Sequence, residues 1–190
     1  GGDYVSTGDG TRDCDGHGTL VAGIIAAAPD PMADRFSGVA PLATVIGIRA
    51  SSARFAAIGD AVGIGDVDTL AKAVRTAADL NASVINISTV ACRSARTGLD
   101  DRALGAALAY AVEVKNSVVV AAAGNTDEGC GAEGPMIVTP AWYDDYVLTV
   151  GSVDAHGVAS AFTLPGPWVD VAAPGEAVLS LSTVGDAMAE

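Results

Sequence analysis

His17 stands in a segment whose residue types suit proton-transfer chemistry, DGHGTLVAG at residues 15–23. Histidine is the side chain most often used to take up and return a proton near neutral pH. The glycines on both sides let other backbone approach closely and leave the imidazole open to a cleft. A lone histidine is usually structural or solvated, but the full segment favours a functional one. Small apolar residues continue to about Ala27, which predicts a helix that begins at this histidine.

Asn125 ends a second segment, AAAGN at residues 121–125, which directly follows an apolar run. Asparagine after a strand and a glycine is commonly a turn residue. The functional alternative is that its side-chain amide donates a hydrogen bond to an oxyanion that develops during a reaction. The sequence leaves both interpretations open at this point.

Other chemistries find little support in the residue pattern. No Gly-x-Gly-x-x-Gly follows a predicted strand, no phosphate-binding loop is present, and no acidic set has calcium-ligand spacing. The second histidine, His156, lies far from His17 in sequence and is most simply a turn residue in DAHG at 154–157. We therefore expect neither a metal ion nor a cofactor.

The elements that must position these residues follow an alternating pattern of strands and helices. Helices are predicted over 66–80, with Asp66 or Asp68 as the N-cap, and over 100–115. Four short apolar runs predict strands, the first three nearly continuous, as expected for strands covered on both faces: 43–49, 83–88, 117–123 and 146–153.

Strands joined through helices by short connections predict right-handed crossovers and a mainly parallel central sheet flanked by helices. The predicted fold class is thus a three-layer α/β domain. Ligands of such sheets bind at the carboxyl ends of the strands, which here are residues 88–91 and 124–126.

The 190 residues suit one domain and carry a strongly acidic surface. Lys and Arg number 10 against 23 Asp and Glu, for a net charge of −13, so the protein should repel phosphate backbones and bind no nucleic acid. No apolar run reaches the roughly 18–20 residues of a membrane helix, and no signal peptide is visible. Both ends lack a closing element, which predicts a piece cut from a longer chain.

Three cysteines make an odd count for a secreted protein: Cys14, Cys92 and Cys130. Cys92 and Cys130 lie in polar, loop-like stretches, where a disulfide could join two surface loops. The alternative is three idle thiols in a cytosolic enzyme. The pattern favours an oxidising compartment.

Four weaker segments follow the His17 segment in a fixed order, and each alone is consistent with an ordinary buried strand and turn. They are VINIS at 84–88, TPA at 139–141 leading into 147–152, ASAF at 159–162 and WVDVAAPG at 168–175. Together with the His17 and Asn125 segments they resemble the subtilisin (subtilase) family of serine proteases, from Asp13 to about Ser182.

The resemblance implies a subtilisin-like fold and a serine endopeptidase in which His17 is the general base of a Ser-His-Asp triad. Asn125 would complete the oxyanion hole. The pocket for the substrate residue before the cleaved bond would lie between two segments, one of Ser88, Thr89 and Val90 and the other of Ala122, Ala123 and Gly124. Many family members have Leu-Gly-Gly after the matching serine, where this chain has Thr89-Val90-Ala91. These bulkier residues are expected to narrow the pocket, and its preference stays open.

The same resemblance places two triad members outside these residues. In the subtilisin order, Asp precedes His by about 32 residues and Ser follows it by about 157. Only 16 residues precede His17, residue 174 is a proline, and no Gly-Thr-Ser string occurs. Asp13 and Asp15 are too close in sequence to His17 to be taken as substitutes. We expect residues 1–190 to be a partial catalytic domain, truncated at both ends and inactive alone, because one missing triad member costs about 10⁴ in turnover.

Within the family, GGDY at 1–4 and DCDGH at 13–17 look similar to the mycosins. These are membrane-anchored proteases associated with type VII secretion in mycobacteria and related actinobacteria. The likeness implies a Cys92–Cys130 disulfide and a partner for Cys14 in an N-terminal extension. It also implies an extracytoplasmic protein, in the periplasm or cell envelope, held to the membrane through a C-terminal segment.

Two functions therefore compete. One is an endopeptidase that cleaves a peptide or protein substrate by acyl-enzyme chemistry, as part of type VII secretion. The other is a scaffold with the protease fold that stabilises a secretion membrane complex without using the triad. The presence of His17 and Asn125 argues against a purely degenerate enzyme but leaves a dual role open.

Overall fold

The computed structural model describes residues 1–32, 36–54, 65–96, 98, 100–126, 130, 134–183 and 188–189. The chain forms two compact units, Gly1–Gly65 with Ala177–Glu190, and Asp66–Glu176. The helices are α1 (His17–Ala26), α2 (Val67–Asp79) and α3 (Arg102–Ala109), and α3 continues as a π-helical turn over Tyr110–Val114. The strands are β1 (Gly2–Asp3), β2 (Ile48–Arg49), β3 (Val84–Ile87), β4 (Ala91–Ser94), β5 (Val118–Ala122), β6 (Met136–Thr139), β7 (Val147–Val153), β8 (Val171–Pro174), β9 (Ser180–Leu181) and β10 (Met188–Ala189).

A four-stranded parallel sheet organises the larger unit, in the order β3-β5-β7-β8. Ile87 of β3 pairs with Ala121 of β5, so these two strands end almost level with each other. Val119 of the same β5 pairs with Val147 at the start of β7. The prediction of a parallel α/β sheet is confirmed, and three of its four predicted strands take part in it.

Two helices pack against each other on one face of this sheet. Asp66 caps α2 by accepting a hydrogen bond from the Thr69 backbone N–H at 2.7 Å, as predicted. The helix α2 contacts β3, and the π-helical turn after α3 contacts β5. The core is formed by apolar side chains of both layers: Ala73, Val74, Ala77, Ile85, Leu104, Leu108, Val119 and Ala121.

The opposite face of the sheet carries apolar side chains as well. Side chains alternate between the faces of a strand, and those on this face are exposed, by 59% for Val84, 53% for Val118 and 42% for Leu148. Within the described residues, this face of the larger unit is therefore uncovered at these three positions. Apolar residues occupy both faces, so the sequence pattern shows no alternation that would separate the covered face from the exposed one.

A two-stranded antiparallel ribbon, β4 with β6, completes the unit and was not predicted. Cys92 of β4 lies opposite Val138 of β6, and a disulfide joins Cys92 to Cys130, as the family resemblance implied. Cys130 is buried in a cluster with Val138, Ala141 and Leu164. Cys14, in the other unit, is a free thiol.

In the smaller unit, β2 pairs with β1 in a parallel two-stranded sheet, and α1 packs against β9. Of the predicted strand over 43–49, the last two residues form a strand, and they pair with Gly2 and Asp3. The Arg49 guanidinium binds the Asp3 carboxylate, and both side chains are almost fully covered. This ion pair holds the two short strands together.

Candidate active site

His17 is the first residue of α1, and its imidazole is exposed. Gly16, just before it, has φ of +90°, in the left-handed region that favours glycine. This turn brings His17 out of the loop and onto the helix end. The imidazole makes no hydrogen bond with any residue that the structure describes, so it is available for a proton transfer.

Asp13 holds the turn before His17 from both sides. One of its carboxylate oxygens accepts hydrogen bonds from the backbone N–H groups of Asp15 at 3.0 Å and Gly16 at 2.8 Å. The other accepts from the backbone N–H of Thr19 at 2.7 Å and from its hydroxyl at 2.8 Å. Partial burial favours a higher pKa of Asp13, but hydrogen bonds from Gly16, Thr19 and Asp15 outweigh it and lower the pKa. The carboxylate is thus an N-terminal cap for the helix that carries His17.

Asp15 fixes the same turn to a neighbouring loop. Its carboxylate oxygen accepts hydrogen bonds from the backbone N–H groups of Ala53 and Arg54, both at 3.1 Å. Asp13 and Asp15 therefore act as supports for the loop around His17. Sequence reasoning considered both only as triad substitutes and missed this role, although an aspartate just before a helix is a known capping signal.

Asn125 follows β5, after Gly124, whose φ of +100° requires a residue without a side chain. Backbone hydrogen bonds on both sides fix its place: Leu164 N–H donates to Gly124 O, and Thr126 N–H donates to Phe162 O, both at 2.8 Å. The side-chain amide of Asn125 has no hydrogen-bond partner among the described residues. It is a donor held in place by its backbone and left free for a ligand.

A cavity of about 250 Å³ adjoins Asn125 at the carboxyl ends of three strands. Its wall consists of residues 122–125, 150–152, 162–163 and 173–175. Asn125 thus lies beside an open cavity at the carboxyl ends of the strands, which is where parallel sheets bind their ligands. Ser88, Thr89 and Val90 do not line it.

The two segments that are predicted to form the pocket walls lie next to each other at the edge of the sheet. One segment follows β3 and consists of Ser88, Thr89 and Val90. The other lies at the end of β5 and just beyond it and consists of Ala122, Ala123 and Gly124. The two segments lie close together because β3 and β5 end almost level with each other. Ser88 Oγ accepts a hydrogen bond from the Asn86 side-chain amide at 2.8 Å, while Thr89 is exposed. His17 belongs to the smaller unit and Asn125 to the larger one.

Two kinds of feature are missing from the part of the chain that the structure describes. No group of three or more His, Cys, Asp or Glu side chains there is placed to hold a metal ion. No helix within that part has both the length and the apolar character needed to cross a membrane.

Comparison with known proteins identifies the class of this chain. The model of the subtilase family, peptidase S8, matches residues 2–189, so the chain belongs to the subtilase family. Within it, the chain is similar to the mycosins of Mycobacterium tuberculosis. It is 68% identical over 198 residues to Mycosin-4, with 98% of this chain and 44% of the relative covered. It is 44% identical over 218 residues to Mycosin-3, and this match covers 98% of this chain and 46% of the relative.

Solved structures agree with this assignment. The MycP3 protease from the type VII (ESX-3) secretion system is 44% identical, with a TM-score of 0.87 over 98% of this chain and 56% of the solved one. A chain in an intact ESX-5 inner membrane complex is 42% identical, with a TM-score of 0.90. The match covers 99% of this chain and 52% of the solved one. The subtilisin-like α/β fold is therefore confirmed. This chain spans about half the length of the relatives it matches.

Proposed function

We propose that these residues are part of the catalytic domain of a subtilisin-type serine endopeptidase, with His17 as general base and Asn125 as oxyanion donor. The observation that carries the proposal is the amide of Asn125, which is fixed by backbone hydrogen bonds, unpartnered among described residues and beside an open cavity. A longer protein would supply the triad Asp and Ser, since no Gly-Thr-Ser string occurs in these residues. Residues 1–190 alone would then be inactive.

The proposed reaction follows from these roles. The serine hydroxyl of the longer protein attacks the scissile carbonyl carbon while His17 accepts the hydroxyl proton, and the triad Asp holds the imidazole in orientation. Negative charge develops on the carbonyl oxygen, and the Asn125 amide donates a hydrogen bond to it. His17 then returns the proton to the leaving amine. Water, activated by the same imidazole, releases the acyl group from the serine.

The setting proposed for the enzyme is extracytoplasmic, at the membrane complex of a type VII secretion system. The support is its similarity to mycosins and to a chain in the ESX-5 inner membrane complex, together with the Cys92–Cys130 disulfide, which suits an oxidising compartment. The free thiol of Cys14 would pair with a cysteine in an N-terminal extension, and a C-terminal segment would anchor the protein. Its substrate would be a peptide or protein.

The test of the enzyme proposal uses the longer protein that contains these residues. We expect His17→Ala to abolish amide hydrolysis of a peptide substrate while thermal unfolding stays close to that of the parent protein. The matched control is His156→Ala, which removes the other histidine, an exposed turn residue, and should leave the rate unchanged. Hydrolysis that survives in a purified His17→Ala variant would exclude the proposed role.

A scaffold function is the second candidate, favoured by the similarity to a chain within the ESX-5 inner membrane complex. In that case the protease fold, and not the triad, would be required. The experiment is to replace the chromosomal gene by the His17→Ala variant and to isolate the membrane complex. An intact complex with the inactive variant supports a scaffold role, and loss of the complex opposes it.

A further inference from the structure

We propose that Leu164 is a positioning residue for Asn125, because its side chain anchors the backbone segment that sets the direction of the Asn125 amide. Residues 162–164 form this segment, the strap. The inference rests on the proposed role of Asn125 as oxyanion donor and adds to it a residue that touches neither the substrate nor the reacting atoms.

The strap holds the peptide groups on both sides of Asn125. Its Leu164 N–H donates to Gly124 O at 2.8 Å, which fixes the peptide group before Asn125. Thr126 N–H donates to Phe162 O, also at 2.8 Å, which fixes the peptide group after it. Peptide groups are rigid planes, so fixing both leaves the Asn125 backbone little freedom. The direction in which its side chain leaves the backbone is therefore set by the place of the strap.

The Leu164 side chain is the apolar anchor of the strap. It is only 7% exposed and belongs to a buried cluster with Cys130, Val138 and Ala141. Phe162, at the other end of the strap, is 37% exposed and contributes much less burial. The place of the strap thus depends on how well Leu164 fills its site in the cluster.

The cluster is itself firmly tied to the rest of the unit. Val138 is part of β6, and the disulfide joins Cys130 to Cys92 of β4, the strand that pairs with β6. On the other side, a β-carbon on Gly124 would lie 3.3 Å from Leu164 Cδ2. Close packing of this kind transmits a displacement to its neighbours. A loss of volume at Leu164 should therefore reach the residue next to Gly124, which is Asn125.

A polar contact anchors the strap at a second point. Thr163 Oγ1 accepts a hydrogen bond from the backbone N–H of Ser152 in β7 at 3.0 Å. Loss of the Leu164 side chain should thus displace the strap without releasing it. Misplacement of a reactive group by about 1 Å can cost about 10²-fold in rate, whereas removal of the donor costs about 10²–10³. We expect a loss of about 10–100-fold in kcat.

The experiment measures steady-state kinetics of the longer protein on one peptide amide. Leu164→Ala should lower kcat by that factor and leave KM nearly unchanged, because the oxyanion forms only in the transition state. Leu164→Met keeps most of the side-chain volume and should stay close to the parent protein. In a protein that already carries Asn125→Ala, the change Leu164→Ala should have almost no further effect on kcat. The matched control is Leu108→Ala, which removes a fully buried leucine from α3 and should lower stability without changing kcat.

Each result decides the proposal. A folded Leu164→Ala variant with the kcat of the parent protein would overturn it, as would losses that multiply when Leu164→Ala and Asn125→Ala are combined. An equal loss of kcat in Leu108→Ala would do the same, since it would reflect general destabilisation. Leu164→Val takes the place of Leu164→Ala if the latter does not fold. An Asn125→Ala variant with the kcat of the parent protein would instead overturn the proposed oxyanion role, and this inference with it.

Discussion

The polar side chains near His17 and the side chain of Asn125 differ in what they contribute. Among the described residues, Asp13 and Asp15 accept hydrogen bonds from backbone N–H groups and from the Thr19 hydroxyl, which holds the loop around His17 in place. Asn125 differs from them, because hydrogen bonds of the flanking backbone fix its place, while its side-chain amide has no hydrogen-bond partner among the described residues. Substitutions at the supports should therefore act on stability and positioning, whereas those at Asn125 should act on the reaction itself.

Asn125→Ala in the longer protein provides a direct test at this scale. The amide should meet its acceptor only when the carbonyl oxygen becomes an oxyanion, so its loss should lower kcat by about 10²–10³ and leave KM nearly unchanged. Steady-state kinetics on one peptide amide measures both quantities. A variant with a raised KM and normal kcat would show that Asn125 binds substrate in its ground state instead.

Among the elements, α1 depends on a close approach to β9. A β-carbon on Gly23 would overlap Ser180 Oγ and lie 3.0 Å from the backbone N of Leu181 and 3.1 Å from the Leu181 Cγ. Ser180 is buried, and its hydroxyl donates to Leu20 O, so it cannot yield easily. The glycine is the residue that lets this helix and strand touch.

Gly23→Ala should therefore destabilise the protein by about 1–3 kcal/mol, the usual cost of overpacking, even though alanine favours a helix more than glycine does. Gly18→Ala, in the same helix, is the control, since its β-carbon would meet only the Asp13 carboxylate, at 3.5 Å. Urea unfolding of both variants measures the difference. Equal free energies of unfolding would show that α1 and β9 do not pack as described.

The elements also show which parts of the fold a sequence can reveal. The helix at 67–79 was predicted because Asp66 marks its start and its apolar face repeats at helical spacing. The ribbon of β4 and β6 was missed, because it joins two four-residue segments about 45 residues apart, and such pairing leaves no local signal. Motifs in the sequence predict His17 and Asn125 as candidate site residues, whereas the closeness of Val90 to Gly124 depends on tertiary packing alone.

For the whole molecule, charge is the dominant feature, with 23 acidic against 10 basic residues. Many of the acidic groups do more than keep the protein soluble. Hydrogen bonds from the Arg49 side chain lower the pKa of Asp3, and those from Arg102 lower the pKa of Asp100 to about 2. Hydrogen bonds also lower the pKa values of Asp9, Asp13, Asp66 and Asp79.

The sign of the pH dependence follows from these shifts. A carboxyl group with a lower pKa in the folded state binds protons more weakly there than in the unfolded chain, so acid favours unfolding. Its contribution to stability is complete above the unfolded pKa of about 4 and is lost as the pH falls toward the folded value. We expect the free energy of unfolding to change little between about pH 7 and pH 5 and to fall steadily below about pH 4.

Asp3→Asn isolates one of these groups, because its carboxylate binds the covered Arg49 guanidinium. The variant should be less stable than the parent protein at pH 7, and the gap should close as the pH falls below about 4, where the parent loses the same carboxylate. Asp144→Asn removes an exposed carboxylate without a described hydrogen bond and should follow the parent curve. Urea unfolding at a series of pH values compares the three proteins. Parallel curves for the parent protein and Asp3→Asn down to pH 2 would mean that the Asp3–Arg49 pair does not contribute to acid unfolding.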